Sequence, residues 1–167
     1  MTYLANIHIL IDRRNYKLHL YSGDVLLKSY KVVFGRNNSS RKYLRDKYAT
    51  PAGTYSVCRI DTVSPYRKFL LLNYPNRHDL ENSLKSGEIT REEYFRANEE
   101  LQFEGCTHLP GFRDADIGIQ GIGRLDFILK NLPFVYNWTN GSAAISNDNI
   151  DEIYKVIKVG TEVVIKN

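Results

Sequence analysis

Ile7, Ile9 and Ile11 alternate with His8 and Leu10, and Tyr16, Leu18 and Leu20 alternate with Lys17 and His19. A side-chain period of two places every second residue on one face, which is the geometry of a half-buried β-strand and not of a helix. Arg13-Arg14-Asn15 lies between the two segments and turns the chain, so together they predict a hairpin. Ser22-Gly23-Asp24 is the next tight turn, and Val25 to Phe34 reads as a third strand. The chain therefore opens as an antiparallel meander.

The remainder continues in the same character. Residues 35–49 are polar and basic and read as an exposed loop. Thr50-Pro51-Ala52-Gly53 is a turn that launches an alternating strand over Thr54 to Val57, and Lys68 to Asn73 extends the sheet. From Arg77 to Glu104 the pattern becomes helical. Thr90 followed by Glu93 is a capping box, in which hydroxyl and carboxylate satisfy opposing backbone N–H groups. This stretch is expected to be a helical insertion that packs over the sheet. Ile117 to Gln120 and Gly141 to Ile145 read as buried strands. Asn147 is expected to cap a helix with Ile150, Ile153, Tyr154 and Ile157 on one face, before a last strand from Glu162 to Lys166. The reading is a single mainly β domain over residues 1–167.

Composition narrows the function. The net charge of +4 is spread along the chain, so no basic patch for nucleic acid is indicated. Tyr, at 12 residues, favours strands together with Ile and Val. No run approaches the ~20 apolar residues of a spanning helix. The N-terminus lacks a signal-peptide pattern, so the chain is expected to be cytoplasmic as it stands, or in the cell envelope if a leader has been removed. Cys58 and Cys106 lack metal-type spacing and are expected as free thiols, with a single disulfide as the alternative. Neither a metal nor a cofactor is expected. The Gly-x-Gly patterns over 118–123 do not signal a nucleotide site, because no phosphate-binding helix follows.

Several motifs, in order and spacing, carry a resemblance. They are Val32-Val33-Phe34-Gly35, Thr50-Pro51-Ala52-Gly53-Thr54-Tyr55, Asn73-Tyr74-Pro75-Asn76 with Asp79, Asn137-Trp138-Thr139-Asn140-Gly141, and the tail from Asp148 through Ile165. Together they resemble the L,D-transpeptidase catalytic-domain family (YkuD-type) over nearly the whole chain. The resemblance implies a curved sheet or sandwich with short helices and a helical insertion at about 77–104. It also implies a bacterial cell-wall substrate, the peptidoglycan stem peptide. In the family a Cys attacks a stem-peptide carbonyl, a His in an Ile-His-Gly element generates the thiolate, and backbone N–H groups form the oxyanion hole.

Carried onto this chain, Gly121 and Gly141 match directly, whereas Gln120 stands at the His position and Ser142 at the Cys position. A Cys exposes a few per cent thiolate at neutral pH, while a Ser hydroxyl without a base is un-ionised. Gln orients a group but takes no proton near pH 7. Losing general-base help alone costs about 10²–10⁴-fold. Degeneration, deliberate inactivation and relocated catalysis are the competing explanations.

The expectation is a pseudoenzyme that binds stem peptide or a protein partner through the old cleft. The alternatives are an active transpeptidase or amide hydrolase using Ser142 or Cys106, either of them with His108, and a scaffold with a vestigial cleft. Trp138 is read as packing beside the nucleophile loop, with stacking on a sugar ring as the alternative. Arg124 is read as a solvated side chain or as a bidentate partner for a substrate carboxylate. His8 and His19 read as surface residues, and His78 as a helix contact.

Overall fold

A computed structural model of the chain describes residues 4–37, 44, 46, 48–109, 116–125 and 136–167. The predicted hairpin is present. β1 (Ile7–Asp12) runs antiparallel to β2 (Lys17–Ser22), with Ile9 opposite Leu20 and Ile11 opposite Leu18. All four of these side chains are buried, each worth about 1.5–3 kcal/mol of apolar transfer. β3 (Val25–Lys31) pairs with β2 but ends at Lys31 rather than at Phe34.

The second half of the sheet is built around β4 (Gly53–Ser64), much longer than the Thr54–Val57 segment, and β5 (Arg67–Leu72). Two short strands follow, β6 (Gly118–Gln120) and β7 (Ala143–Ala144). The last strand, β8 (Glu162–Lys166), lies parallel to β1 and antiparallel to β4 and joins the two halves. The strand order is β3-β2-β1-β8-β4-β5-β6-β7.

After β3 the chain crosses to the far end of this order. The Val33 N–H donates to the Ala144 carbonyl (3.1 Å), and the Ala144 N–H donates back to Val33 (2.9 Å). The sheet must curl for its two ends to meet in this way, and it forms a half-barrel. Its main core gathers Ile9, Leu18, Phe34, Tyr55, Leu70, Ile119, Ile150 and Val163 in one cluster.

The 35–49 segment departs from the exposed loop expected of it. Gly35, Leu44 and Ala49 are buried, and the Gly35 N–H donates to Thr50 Oγ1 (3.0 Å). A side chain at Gly35 would run into the Tyr48 carbonyl and stand 2.9 Å from the Gly141 Cα, so this backbone packs where only glycine fits. Residues 38–43, 45 and 47 lie outside the described residues.

Among the described residues three helices have capped N-termini. α1 (Arg77–Lys85) opens with a capping box between Asn76 and Asp79, and Asn76 Nδ2 also donates to the Thr54 carbonyl (3.0 Å), fixing the helix to β4. α2 (Arg91–Glu104) opens with the predicted box, Glu93 N–H to Thr90 Oγ1 at 3.2 Å and Thr90 N–H to Glu93 Oε2 at 2.7 Å. Leu80, Ile89 and Ala97 from this helical stretch belong to the main core. α3 (Asn147–Tyr154) is capped by Ser146, whose Oγ accepts from the Asn149 N–H, and not by Asn147 as expected. Ile150, Ile153 and Ile157 are buried as its pattern predicts.

Two long-range ties complete the frame. The cysteines, expected free, form a Cys58–Cys106 disulfide that fastens the end of α2 to β4. No spacing signal links them, because the pairing depends on how α2 lies across the sheet. Asp151 of α3 is held by Arg67 (Nη2 to Oδ2, 2.7 Å) and by Lys68 of β5. The hydrogen bonds from Arg67, and then those from Lys68, pull its carboxyl down to about 2.

Two outcomes are expected. Replacing both cysteines (Cys58→Ser with Cys106→Ser) lowers the unfolding free energy by about 2–4 kcal/mol in denaturant titrations, through the freed loop of the unfolded chain. For Asp151 the folded-state pKa lies below the unfolded value of about 3.9. Its contribution is therefore complete above that value and is lost as the pH falls towards 2. Because Arg67 is half exposed, the pair is worth only about 1 kcal/mol. Asp151→Asn should remove that part of the acid-induced loss when unfolding is measured between pH 5 and 2.

Candidate functional site

The site is built on one face of the sheet. In the β5–β6 register Phe69 pairs with Gln120 and Leu71 with Gly118, and in the β6–β7 register Gln120 pairs with Ala144. Paired residues share a face, as do residues two apart on a strand. Gln120 and Ser142 therefore point to the same side from neighbouring strands. The β4–β5 register adds Asp61 opposite Phe69 and Arg59 opposite Leu71.

Two loops frame this face. In the first, the Phe34 N–H donates to Asn137 Oδ1 (3.0 Å), the Thr139 N–H to the Phe34 carbonyl (3.2 Å), and the Arg36 N–H to the Thr139 carbonyl (3.2 Å). Thr139 Oγ1 donates to the Ser142 carbonyl (2.6 Å) and accepts from the Gly141 N–H (3.2 Å), which closes the turn in front of Ser142. The second loop, after Gln120, is clamped by Asn147. Its Oδ1 accepts from the Ile122 and Gly123 N–H groups (3.0 and 2.9 Å), and its Nδ2 donates to the Gly123 carbonyl (2.8 Å). Gly121 is required there, since a side chain would stand 2.5 Å from the Tyr66 carbonyl and 2.7 Å from Asn147 Oδ1.

This face opens into a cavity of about 390 Å³. Its lining combines Gln120, Ser142 and Trp138 with the charged side chains Arg59, Asp61 and Asp116 and the rings of Tyr66 and Phe69. Trp138 packs against the small cluster of Val33, Ile122 and Ala144 and also lines the cavity.

Ser142 is buried, and both capacities of its hydroxyl are engaged by main chain. Its Oγ accepts from the Gly118 N–H (3.1 Å) and donates to the Asp116 carbonyl (3.2 Å). The proton that a nucleophile would surrender is thus pointed at a peptide oxygen, which is no base.

The other candidates fall elsewhere. Cys106, the alternative nucleophile, is consumed by the disulfide, which leaves no thiol to activate. His108 is largely exposed. Its backbone N–H donates to Glu100 Oε2 (3.1 Å), and its ring Nδ1 lies 3.7 Å from Asp116 Oδ1. It therefore stands at the rim through Asp116. Arg124 is exposed and does not line the cavity. His8, His19 and His78 sit on the hairpin and on α1, away from the cavity lining. Among the described residues no group of three or more His, Cys, Asp or Glu could hold a metal ion.

Sequence reasoning missed Arg59, Asp61 and Asp116. Arg59-x-Asp61-x-Val63 does alternate, and all three line the cavity. The signal lay in extending the strand past Val57, where a register shift interrupts the ladder.

Comparisons with known proteins agree with this architecture. The model of the YkuD family, the L,D-transpeptidase catalytic domain, matches residues 6–165. Among curated proteins no sequence matches the chain. Bd1075 from Bdellovibrio bacteriovorus is similar in structure, with a TM-score of 0.59 at 18% identity over 98% of this chain and 48% of its own. An L,D-transpeptidase from Mycobacterium smegmatis gives 0.54 at 12% identity, over 98% and 59%. The helical cell shape determining protein Pgp2 from Campylobacter jejuni gives 0.56 at 17%, over 99% and 49%. The chain thus spans about half to three fifths of the length of these structures, and at such identities the likeness establishes the fold.

The bonding of Ser142 makes a direct prediction. Ser142→Ala leaves the buried Gly118 N–H without its partner and should cost about 1–3 kcal/mol, measurable as a lowered denaturation midpoint with an unchanged m-value.

Proposed function

The chain belongs to the YkuD family, the L,D-transpeptidase catalytic domain, and from that premise we propose that it is a domain that has lost transpeptidase chemistry and binds the peptidoglycan stem peptide through the cavity of Gln120 and Ser142. The observation that carries this reading is the Ser142 hydroxyl, held between the Gly118 N–H and the Asp116 carbonyl beside an amide that accepts no proton near pH 7. Removing nucleophile and base that act as a unit costs up to ~10⁶-fold.

The cleft itself is kept open and lined. Its floor is sheet, its walls are Trp138, Tyr66 and Phe69, and Asn147 and Thr139 hold its two loops with side-chain hydrogen bonds. A framework maintained at that level suits recognition. The Cys58–Cys106 disulfide supports a place in an oxidising compartment such as the cell envelope, where such bonds persist and where peptidoglycan is found.

The test is mass spectrometry of the protein incubated with tetrapeptide-stem muropeptides, beside a Gln120→His, Ser142→Cys double variant. The expected result is no cross-linking, exchange or trimming by the natural chain and turnover by the double variant, at least ~10²-fold above it. Stem processing by the natural chain would overturn the loss of chemistry. Silence from both, together with no binding of stems, would overturn the cleft as a stem-peptide site.

A further inference from the structure

The cavity's charged wall is not used by the reading above. Arg59 and Asp61 project from β4 two residues apart, and Asp116 enters from the segment before β6. Arg59 Nε and Nη2 both reach the same oxygen, Asp61 Oδ2, at 3.4 and 3.3 Å, and Nη2 lies 3.9 Å from Asp116 Oδ2. These are long, partly solvated contacts. Asp61 Oδ1 and Arg59 Nη1 take part in none of them. His108 stands behind Asp116, 3.7 Å from Oδ1. The wall thus holds one guanidinium loosely shared between two carboxylates.

From this arrangement we infer that the cavity selects a ligand bearing both a carboxylate and an ammonium group, with Arg59 taking the carboxylate and Asp61 and Asp116 the ammonium. The inference rests on the stem-peptide reading and specifies which chemical groups of the stem are recognised. A ligand with a carboxylate alone would bring a third negative charge to a wall that already carries two. A ligand with an ammonium alone would have to approach the guanidinium. A zwitterionic one pairs with both signs and replaces the long internal contacts with direct ones.

The guanidinium offers five N–H donors in a planar fork, more than the two it spends on Asp61, so a ligand carboxylate can be taken without stripping Arg59 of its neighbours. Phe69, Tyr66 and Trp138 supply the apolar remainder, the division between a few placed polar groups and an apolar lining that small-ligand sites use.

Calorimetric titration of the unaltered protein tests this with three probes: acetyl-L-Ala-D-isoGln-L-Lys-D-Ala, whose only charges are the C-terminal carboxylate and the lysine ammonium, its C-terminal amide, and the same acid with the lysine side chain acetylated. Removal of either ligand charge should weaken binding roughly tenfold, as for a charge-assisted hydrogen bond, and the difference should shrink as salt is raised. Arg59→Gln should abolish the preference for acid over amide and keep the preference for the free amine. Asp61→Asn combined with Asp116→Asn should do the reverse. Because the three probes are compared on the unaltered protein, this part does not depend on any variant folding. Equal binding of all three would overturn the charge-pair inference and leave stem binding standing. Binding of none would overturn both.

Discussion

The reciprocal pair of hydrogen bonds between Val33 and Ala144 is the closure on which the remaining geometry hangs. β3 and β7 stand at opposite ends of the strand order, and an open sheet would leave both as edges with unpaired backbone groups. By continuing past β3 and pairing at Val33, the chain brings one end of the sheet to the other. The next residues then serve as a template for the far segment, with Phe34 and Arg36 bonding to Asn137 and Thr139. The turn that presents Ser142 is positioned by residues more than a hundred positions away in sequence. Gly35 permits the approach because any side chain there would occupy space taken by Tyr48 and Gly141.

What the site can do follows from how its polar groups are satisfied. Burying a hydroxyl costs free energy unless it is hydrogen-bonded, and Ser142 meets that demand with two main-chain partners. The same bonds direct the hydroxyl proton at a peptide carbonyl and not at a basic side chain. A thiol, a weaker donor and acceptor, would hold neither partner as firmly. Oxygen at this position therefore orders its two partner segments more firmly than sulfur would.

The sheet was legible where one face is wet and the other dry. Ile9, Ile11, Leu18 and Leu20 declare their face by alternation, and the structure buries all four. The Thr90–Glu93 box was legible because both halves lie within one helical turn. What escaped was whatever depends on distant neighbours. Ser146 and Asn147 are equally good caps in isolation, and only the loop at Ile122 and Gly123, which claims the Asn147 amide, assigns the cap to Ser146. Leu44 and Ala49 sit in a polar stretch yet are buried, and nothing nearby in sequence announces it. The positions of Gln120 and Ser142 were read from motif order, and the structure places both in one cavity. Arg59 and Asp61 belong to no motif, and they reach the cavity because the strand carrying them runs on to Ser64.

The disulfide joins two segments that each border the cavity. Cys58 directly precedes Arg59, and Cys106 directly precedes the Thr107-His108 pair that Glu100 holds with two hydrogen bonds. The charged wall of the cavity is therefore tied covalently to the segment that stands behind Asp116. Protein prepared in a reducing cytoplasm and protein oxidised after purification are two different materials in this respect. The thiol state of the preparation belongs beside pH and salt as a controlled variable in any titration of this site.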